Sequence, residues 1–189
     1  MQVEATAVPD VKLIRPVRHR DARGWFLEAW NRRAFAAAGI AADFVQDNRA
    51  GSVAVGTVRG LHFQIAPHAQ GKLIHVARGA VFDVAIDIRR HSPTFGHYAT
   101  MTLTAESGEQ LWVPAGFAHG YCTLTPDCEV GYRVTEYYAP ECERGLRWND
   151  PALGIPWPVS PDKAVVHPRD GGWPLFADLV DLFEAGAAP

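Results

Sequence analysis

Through the middle of the chain, apolar and polar residues alternate with a period of two, in short runs broken by Gly, Pro, Asn and Asp. In "AVFDVAIDI", Phe82, Val84, Ile86 and Ile88 fall on one face and Val81, Asp83, Ala85 and Asp87 on the other. The runs "KLIHVA", "YATMTLT", "EQLWVP" and "CEVGYRVTEYY" continue the series. On the last of these, strand parity puts Tyr132 and Tyr138 on one face. Many strands with little helix between them predict a mainly β protein, a sandwich or a barrel. Helical spacing is confined to the margins. "NRRAFAAAG" offers Asn31 as N-cap and Gly39 as stop. "PLFADLVDLFEA" spaces Leu175, Leu179 and Leu182 with Phe176, Val180 and Phe183 as the amphipathic stripe of a short helix. Its length and acidic polar face make that stripe a packing surface rather than a membrane anchor.

Length and composition narrow the class. At 189 residues with 48% hydrophobic content, residues 1–189 are expected to form one domain around a single core. A net charge of −3 gives no broad basic field, so nucleic acid is not an expected partner and any anion must be held by local arginines. Cys122, Cys128 and Cys142 are odd in number and form no CxxC pair. Neither a disulfide framework nor a zinc knuckle follows from them, and a reducing cytoplasm is the simpler setting. The N-terminus lacks the basic and long apolar regions of a signal peptide, and no apolar run approaches membrane-spanning length. The expectation is a soluble cytoplasmic protein with no membrane partner.

The chemistry begins at "RGLHFQ", where Arg59 and His62 interrupt an otherwise apolar strand. Lys72, His119 and Tyr132 also lie in strand-like runs, where ionisable groups are costly unless paired or used. Arg59 and His62 are three apart, so strict alternation sends them to opposite faces; a bulge at Gly60 would bring both inward. Two spacings are also informative. Gly56, His62, Gln64 and Gly79 resemble the first cupin motif, and Gly108, Pro114, Gly116 and His119 resemble the second. Cupins are double-stranded β-helix jelly-roll barrels that commonly hold a metal on three histidines and a glutamate. Here Gln64 stands where a second histidine is expected and Lys72 where the glutamate is expected. An ammonium in place of a carboxylate removes a donor and repels a dication, so no metal and no cofactor are expected.

Taken together, "ARGWFLEAWN", "FVQDN", "VRGLHFQ", "AQGKL", "VFDVAIDIR", "SPTFG", "QLWVPAGFAHG", "YRVTEYYAP" and "WNDPALGIPWP" resemble, nearly end to end, the dTDP-4-dehydrorhamnose 3,5-epimerases. The resemblance implies a cupin-type jelly roll with a few short peripheral helices, and a dTDP-sugar substrate, dTDP-4-dehydro-6-deoxy-D-glucose. Its C3 and C5 protons both flank the C4 ketone, so inversion needs a base, a stabiliser for the enolate oxygen and an acid on the opposite face. By resemblance, His62 is the base, oriented by Asp170, Tyr132 is the acid, and Lys72 is the cation beside the oxygen. Asp170 is remote in sequence, so the C-terminal segment must fold back over the barrel mouth. Asp83, on the inward-parity face, is expected to fix Lys72 or His62, or to form a simple buried ion pair.

The resemblance also implies that Arg23, Phe26, Glu28, Gln46, Asp47, Asn48, Arg59, His119, Tyr138, Glu143 and Arg169 bind the substrate. Arg23 and Arg59 suit the diphosphate, because the guanidinium fork makes paired charge-assisted bonds. Phe26 and Tyr138 suit stacking on thymine and deoxyribose. In the family the segment from Arg23 to Glu28 reaches into the partner subunit's site, which implies a homodimer. Three rival readings remain. They are a relative that inverts only one centre, a non-catalytic nucleotide-sugar binding module, and a metal-dependent cupin oxygenase, which the Gln64 and Lys72 substitutions oppose.

Overall fold

The computed structural model describes residues 1–180 and 183. In chain order its main elements are β1 (Gln2–Ala5), β2 (Lys12–Arg15), β3 (Arg18–Asp21), β4 (Gly24–Leu27), helix α1 (Arg32–Ala37), β5 (Gln46–Ser52), β6 (Thr57–Gln64) and β7 (Lys72–Arg78). They continue with β8 (Ala80–Asp87), β9 (Tyr98–Thr104), β10 (Gln110–Val113), β11 (Phe117–Thr123), β12 (Cys128–Val134), β13 (Glu143–Gly145), β14 (Val165–Val166) and the one-turn helix α2 (Pro168–Gly171).

Two sheets of antiparallel pairs face each other. One runs β1-β2-β10-β7-β12-β5 and the other β13-β6-β11-β8-β9, with β14 added parallel to β6. The apolar alternation explains the sandwich. Leu13, Ile74, Leu111 and Val130 from the first sheet meet Val81, Ala85, Leu103 and Phe117 from the second in the main buried cluster. This is the mainly β jelly roll that the sequence predicts.

The second sheet is apolar on both faces. Leu61, Phe63, Val84, Ile86 and Ile88 form a second buried cluster with Leu146, Leu179 and Phe183, which come from the C-terminal third. So the C-terminal segment does fold back across this sheet, and Asp170 arrives with it. The same layer overturns one expectation. Within the described residues, the run from Pro174 is a single 3₁₀ turn at Phe176–Asp178, and Leu179 is already extended. Phe183 forms a parallel bridge with Arg89, with the Arg90 N–H donating to the Phe183 carbonyl at 2.9 Å. The anticipated helix gives way because Leu179 and Phe183 bury against the outer face of this sheet, where extended backbone can pair at Arg89. Leu182, also assigned to the stripe, lies outside the described residues. The N-terminal helix forms as expected, with Asn31 Oδ1 accepting from the Arg33 and Ala34 N–H groups at 3.0 and 3.2 Å. Gly39 follows its last turn with φ +79°.

The bulge anticipated at Gly60 is present. His119 pairs with His62 but Tyr121 pairs with Arg59, so β6 carries one residue more than β11 between these pairs. Gly60 has φ +121°, and a Cβ there would lie 2.6 Å from Gly120 Cα and 2.7 Å from the His119 carbonyl oxygen. Gly60→Ala therefore combines backbone strain with a collision against backbone atoms that have no side-chain freedom to yield. It is expected to cost at least ~2 kcal/mol, a fall in Tm of about 4–8 °C by calorimetry. A variant as stable as the parent would mean that the bulge is not locked by this residue.

Candidate active site

The bulge turns both Arg59 and His62 toward the space between the sheets. Two adjoining cavities of about 310 Å³ each open there and share His62, Lys72 and Tyr132 along their walls. His62 comes from β6 in one sheet, and Lys72 and Tyr132 from the neighbouring strands β7 and β12 of the other. A group bound between them has the imidazole on one side and the phenol on the other.

His62 Nε2 lies 2.7 Å from Asp170 Oδ1, and Asp170 Oδ2 accepts the Gly60 N–H at 3.1 Å. Asp170 is only 5% exposed. Burial would raise its carboxyl, but the hydrogen bond and charge of His62 and the Gly60 N–H hold it below the ordinary value. An ionised carboxylate only accepts, so His62 Nε2–H donates to Asp170 and Nδ1 is the ring nitrogen left to take up or release a proton.

Lys72 Nζ donates to the His62 carbonyl at 3.1 Å. Burial pushes its ammonium down to about 8, against the attraction of Glu143 and Asp83. Burial raises the Tyr132 phenol, Arg59 opposes, and Glu143 and Tyr138 add to the rise. That side chain is held protonated.

His119 is the cross-strand partner of His62, and its Nε2 lies 2.9 Å from Asp83 Oδ1. Asp83 therefore forms a buried pair with His119, the second of the two roles expected for it, and acts on Lys72 through its charge alone. Asp83 and His119 sit on adjacent strands, β8 and β11, with both side chains directed inward. Arg59 borders one cavity with its Nε on Ser52 Oγ at 3.1 Å and its Nη2 on the Gly51 carbonyl at 2.8 Å.

Around the other cavity, Gln46 Nε2 donates to Asn48 Oδ1 at 2.7 Å, and Gln46 Oε1 accepts the Tyr138 N–H at 3.1 Å. The Tyr138 hydroxyl donates to Glu143 Oε2 at 2.7 Å, which also accepts from Arg169 Nη2. Tyr138 reaches this wall by a different route from the one strand parity suggests. Strand β12 ends at Val134, and the chain bends at Thr135–Glu136 after a last pair with Gly71, in which Thr135 N–H donates to the Gly71 carbonyl and Gly71 N–H to Thr135 Oγ1. Asp47 points to the outer face and pairs with Arg133 Nε at 3.3 Å. Among the described residues it lines neither cavity.

Arg23, Phe26 and Glu28 are not brought to this site within one chain. They lie on or just after the β3–β4 hairpin, which pairs with neither large sheet. The Arg23 side chain is 90% exposed and bonded to Asp21, Phe26 is 69% exposed, and Glu28 accepts from Asn31 Nδ2 at 3.2 Å.

A family model described as dTDP-4-dehydrorhamnose 3,5-epimerase matches residues 5–178. The dTDP-4-dehydrorhamnose 3,5-epimerase of Sinorhizobium fredii is 46% identical over 184 residues, 97% of this chain and 94% of the relative. This chain belongs to the dTDP-4-dehydrorhamnose 3,5-epimerase family. As such it is an enzyme of the isomerase class. Its fold is similar to that of the Bacillus anthracis dTDP-4-dehydrorhamnose 3,5-epimerase crystallised with TDP and PPi, with a TM-score of 0.89, 45% identity, and coverage of 92% of this chain and 98% of that one. The Legionella pneumophila dTDP-6-deoxy-D-glucose-3,5-epimerase in complex with dTDP-4-keto-L-rhamnose gives a TM-score of 0.92 at 38% identity, covering 98% and 99%.

Within this epimerase chain the two cupin-motif histidines are committed to carboxylates, and Gln64 is committed to structure. The Gln64 amide accepts from the Ala139 N–H at 2.9 Å and donates to the His68 and Tyr137 carbonyls at 2.7 and 3.1 Å. Among the described residues no three His, Cys, Asp or Glu side chains gather in a way that could hold a metal ion. Sequence reasoning missed Gln70 and His167, which line the cavities. The signal for His167 was its place before Pro168. It is the N-cap of α2, with Nδ1 accepting from the Arg169 N–H at 3.2 Å.

Proposed function

We propose that this epimerase inverts both C3 and C5 of dTDP-4-dehydro-6-deoxy-D-glucose without a metal or other cofactor. The observation that carries the reading is the convergence of a carboxylate-bound imidazole from one sheet with a protonated phenol and an ammonium from the other. His62 Nδ1 removes the proton alpha to the ketone, and the electron pair moves onto the C4 oxygen. Lys72 stabilises that oxyanion, and the Tyr132 hydroxyl returns a proton from the opposite face. His62 then gives up its proton to water while the Tyr132 phenolate takes one from water, which resets both groups for the second centre. No electrons leave the substrate, so each step is a redox-neutral isomerisation. Lys72 does the work that a metal does in other cupins, and the donor set around it disfavours a dication.

Arg59 and His119 border the cavity with Asp170, where a diphosphate and the sugar hydroxyls are to be held, and Arg169 reaches it from α2. Gln46, Asn48, Tyr138 and Glu143 border the other, which suits the nucleoside. The exposed hairpin with Arg23, Phe26 and Glu28 supports a homodimer in which each chain completes its partner's site, and Asp47 acts at most by fixing Arg133. Three free, buried cysteines suit a cytoplasmic location, and among the described residues no helix is long and apolar enough to cross a membrane. Residues 1–189 are read as one domain.

Incubation with the substrate in heavy water, read by NMR, is expected to deposit deuterium at both C3 and C5, and His62→Ala is expected to abolish it at both. Label at one carbon alone would reduce the activity to a single-centre epimerase. No label, with tight binding of dTDP, would leave a binding module.

A further inference from the structure

Trp173 lies three residues past Asp170, and its indole returns onto the site that α2 helps to build. The ring meets that of His62 edge to face, with centroids 6.4 Å apart and an interplanar angle of 74°. The Arg169 guanidinium covers the same indole, 5.0 Å from its centroid. Arg147 clasps the backbone that follows the ring. Its Nε donates to the Trp173 carbonyl at 3.1 Å and its N–H to the Pro174 carbonyl at 2.8 Å.

The sequence makes room for this ring at one place. Gly145 on β13 is the cross-strand partner of His62 on β6. A Cβ on Gly145 would lie 2.3 Å from indole atoms of Trp173. The indole therefore fills the space a side chain opposite His62 would take, and any larger residue at position 145 would expel it. The glycine and the arginine clasp are separate features, and both converge on one contact.

We propose that Trp173, seated on Gly145, is a positioning residue that fixes the plane of the His62 ring against Asp170 and keeps water from their hydrogen bond. The inference rests on His62 being the base. Asp170 grips the imidazole only at Nε2, and the torsion about the ring bond of histidine is broad, so one hydrogen bond leaves the ring free to swing. The indole edge removes that freedom from the side. The His62 side chain is 30% exposed, so one part of the ring still faces the cavity. Trp173 takes no part in the proton transfer itself.

The test compares Trp173→Ala, Trp173→Phe and Gly145→Ala in the full chain, with steady-state kinetics and proton NMR of the His62 Nε2–H, a downfield resonance that Asp170→Asn should remove. Trp173→Ala is expected to lower kcat roughly ten- to a hundredfold with KM within about twofold, and to lose the resonance to exchange with water. Phenylalanine keeps an aromatic edge and should restore most of both. Gly145→Ala displaces the indole without removing it and should reproduce the loss. Unchanged kcat and an intact resonance in Trp173→Ala would overturn the proposal, as would a fall in kcat with the resonance intact. If Trp173→Ala does not fold, Trp173→Leu against Trp173→Phe makes the same comparison, and equal kcat in those two would overturn it. An active His62→Ala would sink the reading of His62 as base, whereas a dead His62→Ala beside an unaffected Trp173→Ala would sink this inference alone.

Discussion

Replacing Lys72 with methionine is expected to lower kcat/KM about a thousandfold while the protein stays folded. A cation ~4 Å from a developing oxyanion gains about 4 kcal/mol at an effective dielectric near 20, roughly three powers of ten in rate. Methionine keeps the length and apolar stem of the side chain, so the loss falls on charge. It also removes an ammonium whose burial already pushes it down to about 8. That value gives a second, independent readout. Lys72 is charged below about 8 and neutral above it, so the parent enzyme's kcat/KM should fall on the alkaline side with a midpoint near 8, because kcat/KM reports the free enzyme. Lys72→Arg should push that fall to higher pH, since a guanidinium stays protonated. Full activity in Lys72→Met, or an alkaline limb unchanged in Lys72→Arg, would remove Lys72 from the mechanism.

The second large effect belongs to Asp170. Its two oxygens face two donors, His62 Nε2–H and the Gly60 N–H. An asparagine has one accepting oxygen for these two positions. Turned toward Gly60, it presents an NH₂ to His62, which must then accept at Nε2 and carry its proton on Nδ1, where the base should be. Turned toward His62, it sets NH₂ against the Gly60 N–H at the bulge. Asp170→Asn is therefore expected to lower kcat by about 10²–10⁴ with little change in KM. The stability consequence runs in a defined direction. Asp170 titrates lower in the folded chain than in the unfolded one, so its contribution is present above the ordinary carboxylate range and is lost as pH falls through the lowered folded value. Asp170→Asn should flatten that part of the acid-unfolding profile. An asparagine variant with parental kcat would show that His62 does not depend on this carboxylate.

Much of this architecture was legible along the chain, because strand alternation is a local signal. Val84, Ile86 and Ile88 turn one way and Val81 and Ala85 the other, and both faces are buried, in separate clusters. The bulge at Gly60 was legible for a similar reason, since two ionisable residues three apart on one strand can share a side only if an extra residue intervenes. Periodicity misled where a distant surface decided the outcome. The stripe from Leu175 onward has helical spacing, yet Leu179 and Phe183 bury against Val84 and Ile86 on a sheet laid down some 90 residues earlier, and extended backbone fits that face. Parity likewise carried Tyr138 past the end of β12, which stops at Val134 before the chain bends.

The partners of the charged groups followed the same division. Sequence alone determined which residue types stand in the barrel strands, His62, Lys72, His119 and Tyr132, and with them the class of chemistry available. Only the tertiary structure decided that Asp83 pairs with His119, that Gly60 shares the Asp170 carboxylate, and that Trp173 rests on Gly145 beside His62. Local spacing sets the face on which a side chain stands. What it meets there depends on the register between strands and on a segment that returns more than 100 residues later, as Asp170 does to His62 with a sequence separation of 108.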